Sequence, residues 1–254
     1  MRLLLKLKAV NDFAYDYKYY HKLQGWLYSL LKNTDYFSIH DNKGYKFFSF
    51  SNFFSEKQFK SQIKEGEIIN LIISSPNSEF IKTLSNKLIT YLNKNITIGE
   101  YVLNLISFRA NYLKIKRKNL TLISSTPIVV RIPEKKYSVY QIPEKYRKKR
   151  YVFWRKEYSF NAFLKQLEEN LMKKYNKFYN TQINYDTVFE GFDFIKPIVS
   201  HVVFGGKEQK IIGSLWKFDF SYLTKEQKNL LEFGMDTGLG ELNSLGFGFM
   251  NVMK

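Results

Sequence analysis

Two stretches of this chain repeat one order of hydrophobic patterns, and that repeat narrows the folds open to it more than any other feature. Arg2–Val10 is a leucine-rich run with Lys6 and Lys8 on one alternating face, which predicts a strand. Tyr17–Lys32 has helical period. Leu23, Trp26, Leu27, Leu30 and Leu31 form one apolar stripe, while His21, Gln24 and Tyr28 share another face. The polar stretch His40–Gly44 has turn chemistry. Tyr45–Phe50 and Glu67–Ser74 read as strands, Ser78–Asn93 as a second helix and Ile96–Phe108 as a closing strand region. After the charged run Lys114–Lys118 the order returns. Leu120–Ile132 is strand-like, Ser159–Tyr179 is a long helix, and Phe192–Phe204 with Lys210–Phe220 form a hairpin about Gly205 and Gly206. Thr224–Phe233 is a short helix, opened by a capping box of Thr224 and Gln227, and Gly246–Met253 is a last strand. The order βαββαβ therefore occurs twice. It predicts an α+β chain of two tandem ferredoxin-like (RRM-like) domains, residues 1–114 and 119–254, each packing two helices on one sheet face.

What such a scaffold could bind is narrowed by charge and ring content. Forty Lys and Arg stand against 23 Asp and Glu, a formal net charge of +17, so the chain attracts polyanions. Nineteen Tyr and 23 Phe add many flat rings, and cations with rings suit single-stranded nucleic acid: phosphates take the charge and unstacked bases take the rings. The two features meet in Pro133–Lys156, where Arg147, Lys148, Arg150 and Arg155 alternate with Tyr146, Tyr151, Phe153 and Trp154, and where the phrase Ile-Pro-Glu-Lys occurs at both Ile132 and Ile142. The chain has no cysteine, which excludes disulfides, thiolate metal sites and cysteine nucleophiles. Nor does the sequence hold a His/Asp/Glu cluster at metal-ligand spacing, a Gly-x-Ser-x-Gly elbow or an apolar run of membrane-spanning length. No metal, cofactor or membrane contact is expected, and a cytoplasmic location is.

Gly238-Leu-Gly-Glu-Leu-Asn-Ser-Leu-Gly-Phe-Gly248 is the densest glycine run. Glycine allows close backbone approach and positive φ, and successive N–H groups can cradle a phosphate. The run follows a predicted helix and precedes a strand. Dinucleotide and triphosphate loops go from strand to helix, so those readings are excluded. A helix cap followed by a glycine-kinked strand would give the same pattern.

At this point the chain resembles a known family. Gly238–Gly248 resembles the C-terminal glycine-rich motif of the RAMP superfamily of CRISPR-associated proteins, and the whole chain is similar to the CRISPR repeat-cleaving endoribonucleases of the Cas-six family. The resemblance extends to Met1–Leu7, the helix with Tyr28, His40 leading into Tyr45–Ser51, and Ser125–Arg131. Many relatives carry a basic residue inside the glycine loop, where this chain has Glu241, Leu242 and Asn243. The resemblance implies metal-independent cleavage within CRISPR repeat RNA, leaving 2′,3′-cyclic phosphate and 5′-hydroxyl ends. It implies a Tyr/His/Lys catalytic set at Tyr28, His40 and Lys46, and RNA contacts from Gly238, Gly240, Asn243, Ser244, Gly246 and Gly248. The partner is repeat RNA, single-stranded or hairpin; other CRISPR effector proteins and a monomer or homodimer stay open. The alternative is a non-catalytic repeat-RNA-binding subunit of an effector complex.

The residues themselves leave the acid/base open. Among three histidines, His40 lies six residues before Lys46, His21 shares the helix face of Gln24 and Tyr28, and His201 falls in a predicted strand. Metal-free RNA cleavage needs a group at the ribose 2′-OH, a donor for the departing 5′-oxygen and a cation for the charged phosphorus. Those roles would fall to Tyr28, His40 and Lys46 respectively.

Overall fold

A computed structural model describes residues 1–14, 18–41, 44–55, 62–147, 150–185, 187–204 and 206–253. The chain mixes α-helices with two main antiparallel sheets. In the first half, the strands are β1 (Arg2–Ala9), β2 (Phe13–Ala14), β3 (Ser49–Phe50), β4 (Gln62–Ile63), β5 (Ile68–Ser74), β6 (Asn95–Ile98) and β7 (Tyr101–Asn111). The helices are α1 (Tyr19–Leu30) and α2 (Ser78–Ile89). The main sheet runs β3-β5-β1-β7-β6, with β1 central between β5 and β7. Leu3, Leu5 and Leu7 alternate inward from β1 and are wholly buried beneath the α1 stripe of Leu23, Leu27 and Leu30.

The second half contributes β8 (Leu120–Ser124), β9 (Arg131–Pro133), β10 (Tyr151–Phe153), α3 (Phe160–Tyr179), β11 (Gly191–Phe204), β12 (Lys207–Phe220), α4 (Lys225–Thr237) and β13 (Met250–Val252). Its sheet runs β11-β12-β8-β13. Counting only the strands of the βαββαβ pattern within each half, both sheets place the second strand beside the third, then the first, then the fourth. The core of this half gathers on Trp216, whose ring stacks on Phe163 of α3 at 4.1 Å. Thr224 and Gln227 form the expected capping box at the start of α4. Arg2 ties the halves together. Its guanidinium donates to the Met250 and Met235 carbonyls and to Asn251 Oδ1, and lies 4.7 Å from the Phe249 ring.

Three strand expectations are corrected. Tyr45–Phe50 is extended only at Ser49–Phe50, because Phe47 takes φ +50° and turns the chain. Leu120–Ile132 breaks after Ser124, where the Ser125 and Thr126 N–H groups turn to the Phe249 carbonyl and Pro127 has no N–H to give. Gly246–Met253 is a strand only from Met250, since Gly246 and Gly248 both have positive φ. The described parts of the basic stretch, 133–147 and 150–156, hold more regular structure than a solvated loop. Each Ile-Pro-Glu-Lys phrase buries its isoleucine fully and starts a 3-10 turn with its proline as cap, at Glu134–Lys136 and Glu144–Tyr146. Arg131–Pro133 and Tyr151–Phe153 then pair as a two-stranded ribbon. Among the described residues no helix is long and apolar enough to cross a membrane.

Candidate active site

A cavity of about 700 Å³ opens where α1, the segment Gly44–Phe48 and the glycine run meet. Helix α1 buries Leu23, Trp26, Leu27 and Leu30 on one side, which leaves His21, Gln24 and Tyr28 on the side that faces the cavity. Tyr28 is half-buried. Burial pushes its phenol above the ordinary tyrosine range, while hydrogen bonds with Ser244 and Gln24 pull the other way. The phenol therefore stays protonated at neutral pH and can donate. The Lys46 ammonium lies 5.4 Å from the Tyr28 ring centroid. Burial lowers the Lys46 pKa, and Asp41 opposes that shift. The left-handed turn at Phe47 sets this geometry. It directs the Phe47 ring into Phe178 and Phe233 of the other half, at 5.1 and 6.4 Å, and leaves Lys46 lining the cavity. A non-glycine residue held at positive φ costs about 1–3 kcal/mol, so packing must hold it there.

The opposite wall is the glycine run. Gly240, Asn243 and Ser244 line the cavity, with Glu241, Leu242 and Leu245 between and beside them. Gly238, Gly246 and Gly248 do not: they sit in buried backbone behind the wall. A Cβ at Gly248 would collide with the Leu239 carbonyl oxygen, and one at Gly246 with the Phe50 ring of the first half. Those two glycines therefore permit close packing rather than ligand approach. The N–H groups of Leu239, Glu241 and Gly248 are also spent, on Gly248, Val129 and Pro127 carbonyls. No acceptor for the N–H groups of Leu242, Asn243 and Ser244 is found among the described residues. The stretch able to receive an oxyanion shrinks accordingly to these three residues.

Lys174 holds the wall from beneath, and sequence reading passed it over. It is 2% exposed, and its ammonium donates to the Gly238 carbonyl at 2.5 Å, the Gly240 carbonyl at 3.1 Å and Asn243 Oδ1 at 3.0 Å. Burial pushes its pKa down to about 7, against the pull of Glu241. A signal was available: Phe163, Leu167, Leu171, Lys174 and Phe178 follow one helical stripe, and a lysine in the buried row of α3 is out of place unless something holds it. Arg131 was missed too. It pairs with Glu241 through Nε and Nη2 and lines the cavity. The loop that lacks a basic residue of its own thus has two cations brought to it. Asn170, also unforeseen, lines the cavity, and its Oδ1 has no partner among the described residues. Gln24 Nε2 donates to the Ser244 carbonyl at 2.9 Å, and Tyr20 stacks on Phe247 at 4.7 Å, so α1 and the glycine run form one rigid cleft.

The other expected residues fall in different places. His40 ends a 3-10 turn, Phe37–His40, and its side chain lies outside the described part of the structure, as does Lys148. His21 is exposed and lines the cavity. His201 pairs with Glu208 across the β11–β12 hairpin. Arg147 Nε donates to the Ile142 carbonyl at 2.7 Å, which fixes its own loop, while Arg150 and Arg155 line a separate pocket beside the β9–β10 ribbon. Among the described residues, no group of three or more His, Asp or Glu is placed to hold a metal ion.

Comparison with known proteins identifies a family. Residues 110–252 match the family described as "CRISPR associated protein Cas6, C-terminal". The chain is 32% identical over 265 residues to "CRISPR-associated endoribonuclease Cas6 2" of Methanocaldococcus jannaschii, covering 100% of both chains. It is 28% identical over 267 residues to "CRISPR-associated endoribonuclease Cas6" of Haloferax mediterranei, covering 100% of this chain and 94% of that one. In fold it is similar to a solved "CRISPR associated protein Cas6" (TM-score 0.73, 23% identity, 100% and 99% covered). It is also similar to "An RAMP protein binding different RNA substrates" (TM-score 0.75, 19% identity, 100% of both). A family match over more than half the length, and a full-length relative at this identity, lead to one conclusion: the chain belongs to the Cas6 family of CRISPR-associated endoribonucleases.

Proposed function

We propose that this endoribonuclease binds CRISPR repeat RNA and cuts once within each repeat, at the cavity between α1 and the glycine run, to release guide RNAs. The observation that carries the reading is the meeting of Tyr28, Lys46 and the Leu242–Ser244 backbone on one cleft from opposite ends of the chain. We read the two halves as tandem ferredoxin-like domains, 1–114 and 119–254, on the strength of their like strand order.

The ribose 2′-OH attacks the adjacent phosphorus, so no metal is required. Tyr28, protonated, positions that hydroxyl. Lys46 and the Leu242–Ser244 N–H groups stabilise the added negative charge on the phosphoryl oxygens. His40 exchanges protons with the attacking and departing oxygens. His21, which lines the cavity, is the competing acid/base. Products are a 2′,3′-cyclic phosphate and a 5′-hydroxyl.

Repeat RNA from the same genome, incubated with the protein in EDTA and resolved on a gel, tests this reading. Cleavage at one position is expected, and a single 2′-deoxy substitution at the scissile nucleotide should abolish it. Cutting of the deoxy substrate, or dependence on added metal, would refute the mechanism. Tight binding without cleavage would favour a non-catalytic RNA-binding subunit.

A further inference from the structure

Beside the β9–β10 ribbon lies a second pocket of about 600 Å³, within the roughly 300–1,000 Å³ of ligand sites. Four cations rim it: Lys145, Arg150, Arg155 and Lys210, all exposed. Among the described residues its lining holds no carboxylate. Rings make the walls. Tyr151 and Phe153 meet at 5.6 Å, and Tyr146 and Tyr158 at 6.2 Å. Tyr151 is 37% exposed, so part of its surface remains open. The Tyr158 hydroxyl is buried with no hydrogen-bond partner among the described residues, although the residue lines the pocket and is only 6% exposed. Native structures rarely leave such a group unsatisfied, because an unmet buried hydroxyl costs about 1–3 kcal/mol.

We propose that this pocket is a nucleobase subsite, which takes one unstacked base of the bound RNA between its tyrosines and holds the neighbouring phosphates with its cations. Each observation matches one part of a nucleotide. Flat rings accept a base face, cations accept phosphates, and the Tyr158 hydroxyl reads a polar edge of the base. A lipid headgroup or an acidic peptide would use the cations and leave the ring walls unexplained. Arg131 links the pocket to the cleft. The Arg131 guanidinium lies 4.8 Å from the Tyr151 ring, and Arg131 pairs with Phe153 across the ribbon while its other side lines the cleft. An RNA strand leaving the cleft over Arg131 reaches Tyr151 next.

This inference rests on RNA being the ligand, and its test reads binding rather than cleavage. Repeat RNAs made uncleavable by a 2′-deoxy at the scissile nucleotide, each with one abasic position, are titrated against the wild-type protein. One position near the scissile site should lose roughly five- to 150-fold in affinity. That position-specific loss should vanish in Tyr151→Ala and in Tyr146→Ala, which bind every RNA alike. Tyr158→Phe should lose about two- to tenfold, only with RNA that carries the base. If RNA binds with equal affinity whichever base is removed, the subsite is refuted while RNA binding stands. If wild-type protein does not bind repeat RNA at all, both readings fall. Displacement of the RNA by micromolar free nucleoside monophosphates would make the pocket a mononucleotide site and overturn the proposal. Should either alanine variant fail to fold, the scan with wild-type protein decides alone.

Discussion

Helices α1 and α3 hold the same place in the two halves, each following the first strand of its sheet pattern, yet they treat the cleft in opposite ways. The shorter, α1, keeps its apolar residues toward the sheet and displays His21, Gln24 and Tyr28 on the cavity. The longer, α3, sends Lys174 from its buried row to the carbonyls of the glycine run, where it is fully enclosed. One helix presents side chains to the cleft; the other fixes the opposite wall, where the phosphate site is proposed. Substitutions on α1's side should therefore change rates without changing stability, and substitutions at Lys174 should change both.

The largest effect separates the two histidines. His40→Ala should slow repeat cleavage about 10²- to 10⁴-fold, while His21→Ala stays within severalfold of wild type, measured by single-turnover gels. The reverse result would move the acid/base onto α1; no loss in either variant would remove histidine from the reaction. Next comes Lys46→Ala, with an expected loss of about 10²- to 10³-fold in single-turnover rate and little change in RNA affinity. An equal loss of affinity would make Lys46 a binding group.

Lys174→Met tests the supporting helix. It removes the Lys174 donor from the Gly238 and Gly240 carbonyls and from Asn243 Oδ1, and should lower unfolding free energy by about 3 kcal/mol in urea titrations. Unchanged stability would mean that the glycine run holds its shape unaided. The smallest effect is one of pH. Lys174 has its pKa lowered from 10.5 to about 7, so between those values the unfolded chain carries a proton that the folded chain has released. Stability therefore rises with pH across that window, by at most about 1.4 kcal/mol per pH unit, and is independent of this group below it. The difference between wild type and Lys174→Met, followed by urea unfolding from pH 6 to pH 10, isolates the contribution. A flat difference would show that Lys174 keeps its proton throughout.

Much of this was legible in residue patterns, and the misses have physical causes. Regular helices were readable because their stripes are periodic: the Leu23–Leu30 row and the Phe163–Phe178 row both pack as their spacing implies. The Thr224–Gln227 box was readable because capping is local. Phe47 was not, since nothing in Tyr45–Phe50 marks a left-handed residue; the ring is drawn there by Phe178 and Phe233, over 130 positions away. The two ends of the site were read separately, glycines as a binding element and Tyr28, His40 and Lys46 as remote chemistry, because spacing along a chain says nothing of which distant segments meet at one cavity. Lys174 went unmarked because lysine is ordinarily a surface residue. The repeated Ile-Pro-Glu-Lys phrase was visible, and its meaning, a buried isoleucine followed by a proline-capped turn, needed the fold.

Arg2 carries a consequence for how the molecule forms. Burial leaves its guanidinium with a pKa of about 10, so it enters the interior charged. The carbonyl of Met250 that receives it lies 248 positions away along the chain. Until that loop closes, water solvates the guanidinium; docking must strip that water away and replace it with the carbonyls of the far end. The two halves are therefore coupled through this one side chain. Their docking is the high-contact-order step, which should limit the folding rate and make separately expressed halves slow to become native.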